Sequence, residues 1–279
     1  MKLKFWGTRG SIATPSLETR ELGGNTTCVE VSYGEGRSLV IDCGTGVIEY
    51  ASRGVNLREN SEFHFLITHF HWDHIIGFPF FHPIHVPGTR VNFYSPFSEE
   101  ECRANITMLF DGTYSPLRDM ANLNADVQFH SLSDDGGCEV NGLQLEACTT
   151  THSATCYAYR LKGPGVDLGF VTDHERQADL EQNQRVVDLV KGCQVLVHEA
   201  HYTANEYKKR RGWGHCTIED AITNATAAGT SHLLLHHHAP DHTDDFLRLY
   251  MRRLRQNGAV PDNAPESIRL AVQNHVYEY

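Results

Sequence analysis

The stretch T-H-F-H-W-D-H, residues 68–74, follows directly on the apolar run Phe63–Ile67, and this junction restricts the fold more than any other feature of the chain. Three histidines and one aspartate fall within positions 69–74. Packing has no use for so many titratable groups at one strand exit, because buried polar groups cost free energy unless they are satisfied. The pattern returns downstream. His152 follows EACTTT, Asp173 follows GFVT, and His236, His237 and His238 follow HLLL. Each ends a short apolar run, so several strands are expected to deliver their last residues to one place.

Around these junctions the chain reads as strand runs alternating with helices. KLKFWG leads into the turn GTRGS, and TTCVEVSY and SLVIDCG read as strands bounded by glycine, an antiparallel start. FHFLITHF is the next strand, DHIIGFPFFHP a short helix or loop, and VNFYS a strand. Asn141-Gly142 marks a turn within EVNGLQLEACTTTH, and GPG marks a second hairpin within YAYRLKGPGVDLGFVTD. CQVLVHEA and HLLLHHH are two further short strands. Three helices interrupt them. One begins at the N-cap candidate Thr217, with Ile218, Ala221, Ile222 and Ala225 on one face. Another runs from Asp244 to Gln256, with Leu247, Tyr250, Met251 and Leu254 on its apolar stripe and Gly258 as its stop. A weaker candidate lies between Glu175 and Lys191. With no internal repeat and no low-complexity linker, residues 1–279 are expected to form one α/β domain.

Composition limits the partners. The 279 residues are 40% hydrophobic, enough for a sizeable core. No run of about 18 apolar residues suggests a membrane span, and the N-terminus MKLKFWGTRG lacks an export signal. Eight cysteines without a CxxC pair fit reduced thiols, so the cytoplasm is the expected compartment. A formal charge of −11 disfavours a stable complex with long nucleic acid.

Coordination chemistry explains the junctions. On extended backbone residues i and i+2 point the same way, so His69 and His71 can offer two imidazoles to one cation, with Asp73 and His74 just past the bend. Imidazole plus carboxylate suits zinc, manganese or iron. The remaining ligands are expected from His152, Asp173 and one of His236, His237 and His238.

The same residues carry a family resemblance. T-H-F-H-W-D-H resembles the H-x-H-x-D-H signature of the metallo-β-lactamase fold, and the likeness runs from GTRGS and IDCGTG to the C-terminal HHH. It implies an αββα sandwich with two divalent metal ions, zinc first and manganese second, at the strand ends between the sheets. By position, His69, His71 and His152 would hold one ion, Asp73, His74 and a C-terminal histidine the other, with Asp173 bridging. The family pattern L-x-L-T-H-F laid over Leu233–His238 selects His237, with His236 and His238 turned away; His238 is alternatively placed at the site rim, among the substrate contacts. The best-known β-lactamases carry cysteine where Asp173 stands, so the likeness does not imply antibiotic degradation.

LVHEA and GHCTIEDA are similar to the H-E-A and H-S/M-T-x-x-x-A motifs of RNase Z-like phosphodiesterases. That resemblance implies catalytic roles for His215, facing the scissile phosphate, for Glu199, orienting it, and for Asp73. The tRNA-processing members carry an arm between the third histidine and the bridging aspartate. Here only two short strands and LKGPG separate His152 from Asp173. A small phosphodiester, such as a cyclic nucleotide or related cyclic phosphate, is therefore the expected substrate, with an RNase Z-like RNA endonuclease or a non-hydrolytic carrier or sensor as alternatives. The basic run Lys208, Lys209, Arg210 and Arg211 just before Trp213 offers contacts to an anionic substrate, with Trp213 stacking a base. Arg9 and Asn25 are expected to serve turns rather than phosphate, and His174 and His198 to be supporting residues. If the chain self-associates, a homodimer is the expected form.

Overall fold

The computed structural model describes residues 1–34, 36–55, 61–113, 115–132, 138–176 and 179–279. In chain order the strands are β1 (Lys2–Gly7), β2 (Cys28–Tyr33), β3 (Arg37–Ile41), β4 (Glu62–Leu66), β5 (Arg90–Ser95), β6 (Asp126–Ser131) and β7 (Cys138–Val140). They continue with β8 (Leu143–Thr149), β9 (Tyr157–Gly163), β10 (Val166–Val171), β11 (Val195–Glu199), β12 (His232–His236), β13 (Ser267–Leu270) and β14 (Val276–Glu278). The helices are α1 (Gly46–Glu49), α2 (Trp72–Ile75), α3 (Glu99–Thr107), α4 (Leu180–Leu189), α5 (Ala204–Tyr207), α6 (Ile218–Ala228) and α7 (Asp244–Gln256).

The strands form two seven-stranded mixed sheets, ordered β14-β1-β2-β3-β4-β5-β6 and β13-β12-β11-β10-β9-β8-β7. Each sheet has an antiparallel part and a parallel part, the latter β3 to β6 in the first sheet and β10 to β13 in the second. Between the sheets Phe5, Val31, Ile41 and Leu66 pack with Leu161, Phe170, Val197 and Leu234. Outside the first sheet, Val47, Cys102 and Ile106 join Phe65 and Phe93 in a second core. Outside the second, Val186 of α4, Ile222 of α6 and Met251 of α7 cover Leu196, Leu233 and Leu235. The result is an αββα sandwich. Strands such as β11, VLVHE, are buried along their whole length, as expected for parallel strands covered on both faces.

The two expected hairpins form. β7 and β8 pair across Asn141 and Gly142, both at positive φ, and β9 and β10 pair across the GPG segment. Thr217 caps α6 through a capping box, and α7 spans Asp244–Gln256, with Gly258 at positive φ just beyond it. The weaker helix is α4; residues 177 and 178 of its expected span lie outside the described residues.

The structure differs from the sequence reading in several places, the short helices α1 and α5 among them. α3 was not expected, although Ser98 accepts a hydrogen bond from Glu101 N and three glutamates fill its first turn. Only Cys102 and Ile106 are buried on it, so its apolar stripe is too sparse to stand out. β6, β13 and β14 lie at sheet edges and carry few buried residues, so tertiary pairing creates them more than their own pattern. The strand expected through Phe70 ends at Leu66. There Asp42 takes over from the ladder, accepting the Thr68 N–H on Oδ1 at 2.9 Å.

Candidate metal centre

Several of the parallel strands end at one edge of the sandwich, the place where α/β sheets present ligand sites. β3 leads to Asp42, β4 to positions 69–74, β10 to Asp173, β11 to Glu199 and β12 to His237. His152 arrives from the antiparallel side, just past β8.

Three groups of donors form there among the described residues, one of them Glu199, His201, His215 and His237. The other two flank a single carboxylate: His69, His71, His152 and Asp173 make one, and Asp73, His74 and His237 the other. Asp173 stands between them with its oxygens divided. Its Oδ1 lies 3.8 Å from His69 Nε2 and 3.5 Å from His152 Nε2, and its Oδ2 lies 3.2 Å from His74 Nε2 and 3.4 Å from His237 Nε2. Asp73 Oδ2 is 3.3 Å from His74 Nε2 and 3.1 Å from His237 Nε2. His71 Nδ1 faces His152 Nε2 at 3.0 Å. Zinc–nitrogen distances of about 2.0–2.1 Å in a tetrahedron place ligand atoms about 3.3 Å apart, so these spacings suit a cation within each set. The fit has a second basis: His69 Nε2 is buried without a hydrogen-bond partner, a cost that a cation would remove.

The other ring nitrogens are held in place. His74 Nδ1 lies 2.7 Å from Asp42 Oδ2, and Thr68 Oγ1 donates to the same carboxylate. His69 Nδ1 meets Thr68 Oγ1 at 3.1 Å, and His152 Nδ1 donates to Gly214 O at 2.8 Å. Such contacts orient imidazoles toward a metal. Ser11 N donates to Asp73 Oδ2 at 2.7 Å, which brings the N-terminal turn over the second donor set.

The electrostatics follow from burial and mutual charge. Burial works to raise Asp173, but His237, His74 and His69 outweigh it and hold its carboxyl well below the usual range. Asp73 follows the same balance against His74 and His237. Burial drives His69 well below its ordinary value. Asp173 and Asp73 therefore stand as carboxylates and His69 as a neutral imidazole. At His74, by contrast, burial is outweighed by Asp73, Asp173 and Asp42, which push it well up, so a cation beside His74 would displace a proton from it.

Glu199 and His215 sit beside Asp173. His215 Nδ1 is 3.1 Å from Glu199 Oε2 and 3.7 Å from Asp173 Oδ1. The other oxygen of Glu199 accepts a short hydrogen bond from His174 N. Burial and the charge of Asp173 push Glu199 well up, and burial lowers His215.

Four residues of this site were not singled out from the sequence. His201 stacks on His215 with centroids 4.3 Å apart and planes 16° apart, and its Nδ1 donates to His237 O at 2.9 Å. Its signal was the fourth letter of HEAH. Asp42 ends the apolar run SLVI as the ligands end theirs, so the strand-exit pattern contained it. Glu175 accepts from Gly212 N at 2.7 Å and Gly214 N at 2.8 Å, and so fixes the loop that carries the His152 acceptor. Gly10 abuts His237: a Cβ there would lie 2.4 Å from its Nδ1. Nothing in the sequence marks Glu175 or Gly10 for these contacts.

His238 is not at the rim. It is fully buried, with Nε2 directed to Ala271 O at 3.4 Å, while positive φ at His237 turns that residue alone into the site. His236 likewise faces away, toward Gly7 O. Within the basic run, Arg210 lies 3.8 Å from Glu206 and 3.6 Å from Asp241, and Lys208 donates to Asn205. Arg211 lies over the Tyr207 ring, and Lys209 is exposed. Trp213 is 61% exposed on the Gly212–Gly214 loop, and Trp72, beside His71, is 70% exposed. Arg9 is buried and donates to Gly23 O, Ala239 O and His242 O, and Asn25 Oδ1 accepts from Thr45 Oγ1 at 3.3 Å. His174 pairs with Asn183, and His198 with Asn224 and Glu199 O.

A two-sheet sandwich with this His/Asp constellation is the metallo-β-lactamase fold, and its donor sets suit a pair of metal ions. Residues 37–238 match the beta-lactamase superfamily domain, and the chain belongs to that family. Ribonuclease Z from Methanopyrus kandleri is 26% identical over 266 residues, covering 84% of this chain and 86% of that protein. Among solved structures, the metallo-beta-lactamase fold protein YhfI from Bacillus subtilis superposes with a TM-score of 0.70 at 19% identity, covering 100% of this chain and 99% of that one. A diphosphatase from the PhnP family gives 0.68 at 18% identity, covering 100% and 97%. No helix among the described residues is long and apolar enough to cross a membrane.

Proposed function

We propose that the protein is a dinuclear-metal phosphodiesterase acting on a small phosphodiester, with a cyclic nucleotide or related cyclic phosphate as the expected substrate. The observation that carries this reading is the division of Asp173 between two donor sets, with His215 and Glu199 alongside. Zinc is the first expectation for the ions and manganese the second. When bound, such a pair supplies a hydroxide and neutralises phosphoryl oxygens. The chain's own residues do the rest. His69, His71, His152 and Asp173 Oδ1 define one face of the centre, and Asp73, His74, His237 and Asp173 Oδ2 the other. Glu199 holds His215 by Nδ1, which leaves Nε2 to meet the leaving oxygen. Burial lowers His215 and, with Asp173, raises Glu199, so the Glu199 carboxyl can donate to Nδ1 of a neutral ring whose own proton sits on Nε2. As that proton passes to the leaving alkoxide, Nδ1 takes the one from Glu199.

The hairpin between His152 and Asp173 favours a small substrate. β9 and β10 are joined by the GPG turn alone, with no inserted arm to hold a long RNA. The exposed Trp213 supports stacking of a base, whereas two of the four neighbouring cations are partly engaged by Glu206, Asp241 and Asn205. RNA cleavage is the second reading, favoured by the relative named Ribonuclease Z.

A panel of cyclic mononucleotides, cyclic dinucleotides, a chromogenic diester and precursor tRNA, assayed with metal analysis, tests the proposal. Turnover of small diesters that chelation abolishes is expected. His215→Ala should lower kcat by about 10²–10⁴-fold with metal content unchanged. Activity that survives complete removal of metal would sink the reading, and preference for precursor tRNA would replace it with the second.

A further inference from the structure

A groove of about 510 Å³ lies between α7 and the edge strand β13, distinct from the metal centre, and Arg248, Arg252, Arg255 and Arg269 line it. The first three stand at i, i+4 and i+7, one stripe of α7 beside its buried stripe of Leu247, Met251 and Leu254. Like charges at that spacing destabilise a helix, and here they gather in a chain whose formal charge is −11. Arg248 is paired with Glu21, and Arg255 donates to Ile268 O. The guanidinium groups of Arg252 and Arg269 form no ion pair or hydrogen bond among the described residues, and both residues are exposed.

The groove is apolar between its cations. Leu22, Met251, Leu270 and Val272 contribute aliphatic surface, and no aromatic ring lines it. We propose that this groove binds an acidic, amphipathic peptide segment of a partner protein, with its carboxylates on Arg252 and Arg269 and its aliphatic side chains on the floor between them. Guanidinium forks match carboxylates in bidentate geometry. Methionine and aliphatic side chains form adaptable surfaces for apolar anchors. Single-stranded RNA is the poorer match, because its bases seek aromatic stacking platforms and the acidic surface as a whole repels a long polyanion.

The test uses the full chain and fluorescein-labelled short peptides that mix glutamate with leucine. Controls are lysine-for-glutamate counterparts, an oligouridine RNA and phosphatidylglycerol vesicles. Acidic peptides should bind with an affinity that falls as salt rises, and the basic counterparts should not bind. Arg252→Glu combined with Arg269→Glu should weaken binding about tenfold or more, with the neutral pair Arg252→Gln and Arg269→Gln intermediate and turnover of a chromogenic diester unchanged. The proposal is overturned if no acidic peptide binds, or if the double variants bind as well as the parent. It is equally overturned if RNA, vesicles or a second copy of the chain occupies the groove in preference, with the same dependence on these arginines.

Discussion

His74 Nδ1 rests on Asp42 and His152 Nδ1 rests on the carbonyl of Gly214, so two prospective ligands take their aim from residues that would touch no ion. Partners of this kind typically contribute 10–100-fold to metal affinity. Asp42→Asn should therefore weaken retention of the ion beside His74 by about that factor, as read by competition with a chromogenic chelator; unchanged affinity would show that His74 needs no such support. Gly214 is stricter. Its φ is +82°, and a Cβ would stand 2.2 Å from His152 Nδ1. Gly214→Ala is expected to displace the His152 ring, and elemental analysis should then find about one equivalent of metal rather than two. Glu175→Gln acts one contact further out. It should cause a smaller loss of metal, since the substituted amide keeps one oxygen to accept from Gly212 or Gly214.

At the scale of elements, α6 and α7 were legible because local chemistry repeats their tertiary role. Thr217 and Thr243 cap the two helices, and the apolar residues recur at helical spacing. Thr217→Ala removes the side-chain oxygen that accepts from Asp220 N and should cost about 1 kcal/mol in urea unfolding. A loss well below that would mean that packing of Ile218, Ala221 and Ile222 alone fixes the helix start. α3 shows the opposite balance, with a good cap and an acidic first turn but only two buried residues, so periodicity said little about it. The edge strands were hidden for a related reason. β13 is defined by pairing to β12, from His232↔Ser267 to Leu235↔Leu270, and that register is a property of the partner strand as much as of the sequence SIRL.

Across the whole molecule, the sandwich seals imidazoles that have no place for a second proton. Burial lowers both His198 and His236 to about 3, against an ordinary value of 6.5. Between those values the unfolded chain takes up protons that the folded chain refuses, so stability present above pH 6.5 is lost as pH falls. The two rings together should remove about 2 kcal/mol between pH 6.5 and 5.5, measured by urea melts of metal-free protein; a loss of about half that would mean that one of them takes up a proton in the folded state, and a flat profile that both do. The strand exits, and with them the donors at 69–74, 152 and 173 and a further one among 236–238, could be read from the sequence by itself, because apolar runs and metal-ligating side chains announce themselves locally. The tertiary structure alone decided that His238 is sealed beneath Ala271 while His237 turns inward, that Asp42 and Glu175 steady the imidazoles, and that the arginines of α7 meet Arg269 across a groove. Each of those facts depends on backbone direction and packing between segments distant in the chain, which no local pattern of residue types encodes.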